Sequence, residues 1–332
     1  MPAARLCSGV YIKPYSVVVG GANMDFLGSS QAPLKQHTSN QGKVSSSPGG
    51  VGRNIAENLV RLSQPCWLMA PVGNDANGLF LKRHCQQLGI ETQSMVTIEG
   101  ASTSSYVSIV DEAGEMQVAI ADMSLIDGFG AAQLDEFLPQ LQAASLVVLD
   151  ANLAPDCLAF LMHKLPQQVF FVDPVSVTKA VRIIPFLSHI HSLKPNLIEA
   201  QAMAGTHFGG QPSHAQLLGL AQWFIAQGVK HLYLSLGSKG LLYSDAKQSF
   251  IIAPSVPLEA INIVNSNGAG DAMMAAIVDA WLQGCDPVPT ASRALACAQI
   301  AMASQTTISP HLSATLLARM LKEYPCSITP LS

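Results

Sequence analysis

Apolar runs of strand length alternate with helix-period stretches along most of the chain. Residues 15–25, YSVVVGGANMD, read as a buried strand ending in a glycine turn. In GVGRNIAENLVRLSQ, residues 50–64, Ile55, Leu59 and Leu62 fall on one helical face. A short apolar strand, PCWLMAPVG, and a helix, DANGLFLKRHCQQLG, follow, with Gly89 placed to end the helix. The rhythm breaks at residues 103–123, TSSYVSIVDEAGEMQVAIADM, where two β-rich runs flank a turn and predict a hairpin. Continuous apolar runs then return in SLVVLDANL and QVFFVDPV, and a short strand precedes a helix in SHIHSLKPNLIEAQAMAG. KHLYLSLGSKGLLYSD predicts two strands around a glycine turn, and helices are expected over 268–283, 288–304 and 311–323. Such runs suit a mostly parallel sheet covered by helices on both faces. The expectation is an α/β fold, doubly wound, forming one domain over 1–332 with a small β lid from segments 26–45 and 103–122.

Composition narrows the partners. With 18 Lys and Arg against 22 Asp and Glu, the net charge of -4 leaves no basic stripe for nucleic acid. Seven scattered cysteines form no CxxC pair, which points to neither a disulfide framework nor a zinc site and to a cytoplasmic setting. No export signal or membrane-length apolar run is visible, so no membrane partner is expected.

In open α/β sheets ligands gather at the carboxyl ends of the strands, and here those ends read GGANMD, LDAN, VDP, LKPN, SLGSKG and NSNGAGD. In the last, Gly268, Ala269 and Gly270 would let an anion approach the first turn of a helix, and Asp271 could accept a hydroxyl proton there. Asp271 as a plain helix-start acid explains the motif about as well. Asn23 and Asp25 share one face of an extended segment and suit paired sugar hydroxyls, unless they merely terminate a strand. Gly49 and Gly50 precede a helix that carries Asn54, a layout that could lay a ligand against backbone or simply start a helix. PGGVGRN is neither a Walker A loop nor GxGxxG. Asn196 and Glu199 could hold Mg²⁺ through water or form a capping box. SLGSKG could carry a nucleotide over its turn or serve as a hairpin connection.

Taken in order over roughly residues 15–310, these motifs resemble the ribokinase-like (PfkB) family of carbohydrate and nucleoside kinases. The resemblance implies Asp271 as catalytic base, with the amides of Gly268, Ala269 and Gly270 as anion hole. It implies that Asn23, Asp25, Gly49, Gly50, Asn54 and Asn152 surround the acceptor, with Thr103, Ser104 and Ser105 starting the lid over its base. ATP and Mg²⁺ would be held by Asn196, Glu199, Ser235, Gly237 and Gly240. The closest likeness is to kinases acting on the 5′-hydroxyl of a C-nucleoside, in a homodimer joined through the lid. Val51 and Asn152 stand where sugar-specific relatives carry Lys and Glu, which argues against free ribose. A monovalent cation such as K⁺ also belongs to the resemblance, but Asn265, Ser266 and Asn267 replace the acidic residue of potassium-activated relatives. The same phosphate-site motifs would serve a kinase for another nucleoside or sugar. A ligand-binding protein without catalysis would not need Asp271, Asn196 and Glu199 together, and a nicotinamide-dependent dehydrogenase lacks its GxGxxG.

Overall fold

The computed structural model describes residues 14–254, 263 and 266–331. Fifteen strands are described. The first eight are β1 (Ser16–Val19), β2 (Asn23–Ser30), β3 (Gly42–Gly49), β4 (Cys66–Met69), β5 (Pro71–Gly73), β6 (Val96–Ile98), β7 (Ser105–Val110) and β8 (Met116–Asp122). They are followed by β9 (Leu146–Asp150), β10 (Phe170–Asp173), β11 (Ile190–Leu193), β12 (His231–Ser235), β13 (Leu241–Ser244), β14 (Ser249–Ile252) and β15 (Ile328–Pro330).

The main sheet runs β15-β14-β13-β12-β11-β10-β9-β1-β4. Its six strands from β12 to β4 pair in parallel, and β13, β14 and β15 extend it antiparallel. β1, β9 and β10 are buried throughout, as expected of runs with no polar face. Apolar clusters fill both sides. Val17, Val147 and Leu149 face one, and Val18, Leu146 and Val148 face the other, where Met274, Ile277 and Val278 of the Ala269–Leu282 helix cover them. The chain leaves β1 for β4 on one side and reaches β9 on the other, so the strand order reverses at β1. A crevice forms at such a point because the two following connections diverge there.

β2 leaves that crevice directly and pairs with β3 and β7, and β8 completes a four-stranded sheet in the order β3-β2-β7-β8. β7 and β8 form the hairpin expected from residues 103–123, and this small sheet is the candidate lid. PCWLMAPVG divides in two: β4 joins the main sheet, while β5 pairs with β6 in a separate ribbon. The C-terminal β15 had no signal in the sequence, since its three residues, Ile328–Pro330, are all exposed.

Candidate active site

At the reversal point a single buried carboxylate ties three elements together. Asp150, at the end of β9, accepts from the backbone N–H of Gly21 and of Gly52 through Oδ2, both at 2.8 Å, and from Asn152 N–H through Oδ1 at 2.9 Å. Burial raises its pKa, and those hydrogen bonds oppose the shift. Gly52 lies in the first turn of the Val51–Arg61 helix, whose N-cap, Gly50, has no capping side chain. Gly50 adopts φ 96, and a Cβ there would meet the Gly21 carbonyl oxygen at 2.4 Å. Only glycine fits both constraints. The next amide, Arg53 N–H, is taken by Gly21 C=O at 3.0 Å. The amides of Gly52 and Arg53 are thus committed to protein partners.

One turn further in, Asn54 reaches across the crevice. Its Nδ2 donates to Asp271 Oδ2 at 2.7 Å, a buried contact between residues 217 apart in sequence. Asp271 opens the Ala269–Leu282 helix, whose N-cap, Gly268, adopts φ 76 and has no side-chain cap. A Cβ on Gly268 would lie 2.1 Å from Thr307 O. The first intrahelical bond runs from Ala272 N–H to Gly268 C=O at 2.9 Å. The amides of Ala269, Gly270 and Asp271 precede it and have no partner among the described residues. Aligned N–H groups at an open helix start favour an anion.

Burial and the nearby Asp173 carboxylate push the Asp271 carboxyl up to about 7, against the pull of Asn54, Lys194 and Arg53. A carboxyl poised there can take a proton near neutral pH. Lys194 is the central cation. Its Nζ lies 3.1 Å from Asp173 Oδ2 and 3.1 Å from where a Cβ on Gly270 would stand. Burial disfavours its charge, but Asp173, Glu199 and Asp271 outweigh that and raise its pKa.

Asn196 and Glu199 form a full capping box at the Leu197–Ala204 helix. Asn196 N–H donates to Glu199 Oε2 and Glu199 N–H to Asn196 Oδ1, each at 2.9 Å. Among the described residues no hydrogen bond reaches Glu199 Oε1. A backbone bridge joins Asn196 to Ser235 at the end of β12, so the turn carrying Gly237 and Gly240 stands beside the box. No group of three His, Cys, Asp or Glu side chains among the described residues makes a closed metal cage. Two features nonetheless suit Mg²⁺, which keeps much of its water. Asp173 Oδ2 is buried with the Lys194 ammonium nearby but no well-directed hydrogen bond, and three carboxylates surround that one cation.

A cavity of about 290 Å³ lies between the crevice and the lid. Of the expected acceptor residues, Asn23, Asp25, Gly50, Asn54, Ser104 and Asn152 line it. Asn23 Nδ2 donates to Asp25 Oδ1 at 2.6 Å, while Gly49 stands against the Asp25 carboxylate, where a Cβ would come within 2.3 Å. Thr103 is turned elsewhere: its hydroxyl donates to Asp75 at 2.5 Å and accepts from Gly73 N–H at 3.0 Å. Ser105 begins β7 and is absent from the lining. The structure adds Tyr106 and Ala121 from the lid, Val175 and Ser176 from the loop after β10, and Lys179 from the short Val177–Ala180 helix that follows. Lys179 hydrogen-bonds Asn152 Oδ1. Val175 has φ 68, and Ser176 N–H closes a γ-turn to Pro174 C=O at 2.7 Å. A β-branched residue at positive φ is strained and marks a site held by its surroundings. Asn265, part of the segment before Gly268, lies outside the described residues.

A family model for the pfkB family of carbohydrate kinases matches residues 13–314. The chain belongs to the PfkB family. Its open helix start, carboxylate and lid therefore sit in a kinase-family protein, a phosphotransferase by kinship. A pseudouridine kinase of Escherichia coli strain K12 is 36% identical over 314 residues, covering 95% of this chain and 98% of that one. An uncharacterized sugar kinase from the same strain is 33% identical over 302 residues, covering 90% and 81%. Among solved structures, one of a putative sugar kinase from Clostridium perfringens superposes with TM-score 0.83 at 29% identity, covering 96% and 98%. An Arabidopsis thaliana ribokinase complexed with ribose and ATP superposes at 0.81 with 20% identity, covering 94% and 99%, which shows a shared fold. The mostly parallel, helix-flanked sheet of this PfkB chain is ribokinase-like. Among the described residues no helix is long and apolar enough to cross a membrane.

Proposed function

We propose that this PfkB chain transfers the γ-phosphoryl group of ATP to the 5′-hydroxyl of pseudouridine, with residues 1–332 acting as one cytoplasmic kinase domain. The observation that carries the chemistry is the Asn54–Asp271 pair, a base candidate at the mouth of an uncapped helix start and beside the cavity. The substrate assignment rests on the 36% identity to a pseudouridine kinase along nearly the whole of both chains.

In this reading the acceptor lies in the cavity, its ribose against Asn23, Asp25, Gly50 and Asn54, and its base beneath the lid near Ser104 and Tyr106. Asn54 donates to one oxygen of Asp271, leaving the other for the 5′-hydroxyl proton. The amides of Ala269 and Gly270 receive the transferring phosphoryl oxygens, and Lys194 adds charge from behind the loop. Because phosphoryl transfer is loose, positioning and charge neutralisation supply most of the rate, and the proton leaves late. Asn196 and Glu199 would hold Mg²⁺ through water beside the Ser235–Gly240 turn. When bound, the ion neutralises phosphate charge. Lid closure excludes water as a competing acceptor.

A panel of pseudouridine, uridine, guanosine and ribose, each with ATP, tests the assignment. Pseudouridine should show the highest kcat/KM. Preference for another acceptor would support the second reading, a kinase for a different nucleoside or sugar, which the 33% identity to an uncharacterized sugar kinase favours.

The two faces of the lid support a homodimer. Asp25, Tyr106 and Ala121 share the face turned to the cavity. Val44, Val118 and Ile120 occupy the opposite face at 81%, 53% and 68% exposure, an apolar patch suited to a second lid. Ile120→Lys should convert a dimer to a monomer in light scattering; a wild-type monomer would overturn this.

A further inference from the structure

The Arg53 side chain has entered so far only as a charge near Asp271, yet it is only 2% exposed and all three nitrogens of its guanidinium are used. Nε donates to Gly49 C=O at 3.2 Å and Nη2 to Pro48 C=O at 3.0 Å, which anchors the group to the end of lid strand β3. Nη1 pairs with Glu57, one turn along the same helix, and Nη2 also donates to Asn54 Oδ1. Glu57 is itself held on its far side by Arg61, at 2.9 and 2.7 Å. A continuous polar line therefore runs Arg61–Glu57–Arg53–Asn54–Asp271 through a buried part of the protein.

The chemistry of the donors gives this line a direction. A side-chain amide is nearly symmetric in shape, and its two ends differ only in that one donates and the other accepts. A guanidinium has no acceptor, so Asn54 must offer it Oδ1, and the NH₂ end is left facing Asp271. In the opposite orientation an amide oxygen would abut a carboxylate oxygen and NH₂ would abut the guanidinium, so both contacts would be repulsive.

We propose that Arg53 is a positioning residue that locks the Asn54 amide with its NH₂ toward Asp271, so that one carboxylate oxygen is occupied and the other stays available for the acceptor hydroxyl. The inference rests on the reading of Asp271 as base. It adds that Arg53 acts on turnover through Asn54, and that Glu57 and the β3 carbonyls serve to hold Arg53.

A double-mutant cycle on the full chain tests this, with Arg53→Met, Asn54→Ala and the pair assayed for kcat and KM on the best acceptor of the panel. Arg53→Met keeps Glu57 paired with Arg61, so no buried carboxylate is stranded. Each single variant should lower kcat by about tenfold, with KM for ATP changed less than about threefold, and the pair should be no worse than the poorer single by more than about threefold. Should Arg53→Met fail to fold by circular dichroism, Arg53→Lys keeps the charge but cannot fork between Glu57 and Asn54. It should fold and lose kcat similarly. Multiplying losses in the pair, or wild-type kcat in Arg53→Lys, would overturn the positioning role. Asp271→Asn runs beside them: near-normal turnover there removes the base reading itself, whereas an inactive Asp271→Asn with multiplying losses removes only Arg53.

Discussion

The Val51–Arg61 and Ala269–Leu282 helices of this PfkB chain both open on glycine without a capping side chain, and they differ in what fills the gap. At Val51–Arg61 the amides of Gly52 and Arg53 are answered from within the fold, by Asp150 at the end of β9 and by Gly21 just past β1. At Ala269–Leu282 the amides of Ala269, Gly270 and Asp271 have no such answer among the described residues. The Asn196 and Ser213 helix starts are different again, since each closes its own capping box. A glycine start is therefore an invitation to an anion only where the protein supplies none. The Val51 helix has its anion built in as Asp150, and it contributes a side chain, Asn54, to the site. The Ala269 helix has amides that nothing among the described residues fills, and it places Asp271 beside them.

The largest effect should come from the open end. Asp271→Asn removes the proton acceptor and should lower turnover by about a hundredfold or more, with little change in nucleotide affinity. Wild-type activity should fall as pH drops below about 7, where Asp271 becomes protonated. Stability should move the opposite way. The folded pKa is raised, so between pH 4 and 7 the unfolded chain gives up this proton first, and raising the pH through that window costs folding stability. Asp271→Asn should thus melt above wild type at pH 8, with the difference closing near pH 4. A lower melting point for the variant at pH 8 would contradict the buried, raised carboxyl.

At the closed end the cost should appear first in folding. Asp150→Asn replaces an acceptor by a donor against the amides of Gly21, Gly52 and Asn152 and should destabilise by about 2–3 kcal/mol in chemical denaturation, as for lost charged hydrogen bonds. KM for the acceptor should rise as the cavity floor loosens. Glycine replacements sharpen the contrast. Gly50→Ala and Gly268→Ala both force a side chain into positive φ and onto a carbonyl oxygen, for about 1–3 kcal/mol each. Only Gly268→Ala should also raise KM for ATP severalfold, because only there do the displaced amides face a phosphate.

That contrast was half legible in the sequence. Buried strands, the hairpin of the lid and the final helices follow from periodicity, because each pattern is local. GAGD could be read as an anion site for the same reason. Asp150 could not, since it looks like the terminal residue of an apolar strand, LVVLD, and its partners lie 129 and 98 residues away. The Asn54–Asp271 contact spans 217 residues and depends on how two helices cross, which no spacing rule reports. Thr103, expected beside the acceptor because it starts the lid hairpin, lies outside the cavity lining. A hydroxyl beside a helix start is captured by the N-cap, and here Asp75 holds Thr103 through two contacts, from its hydroxyl and its amide, while also accepting from Gly78 N–H. Lys179 carried no motif and enters the lining from a four-residue helix just after the strained Val175.

The smallest expected effect separates two readings of one residue. Glu199 completes a capping box through Oε2 and, in the proposed mechanism, also helps hold Mg²⁺ through water. Glutamine serves as well as glutamate in a capping box, so Glu199→Gln should change stability by less than about 0.5 kcal/mol. The amide cannot replace the charge, however. If Glu199 has a metal role, the Mg²⁺ concentration for half-maximal rate should rise severalfold while the melting point stays put. An unchanged Mg²⁺ requirement would leave Glu199 with the cap alone and would make this helix start self-contained, unlike the open one at Gly268.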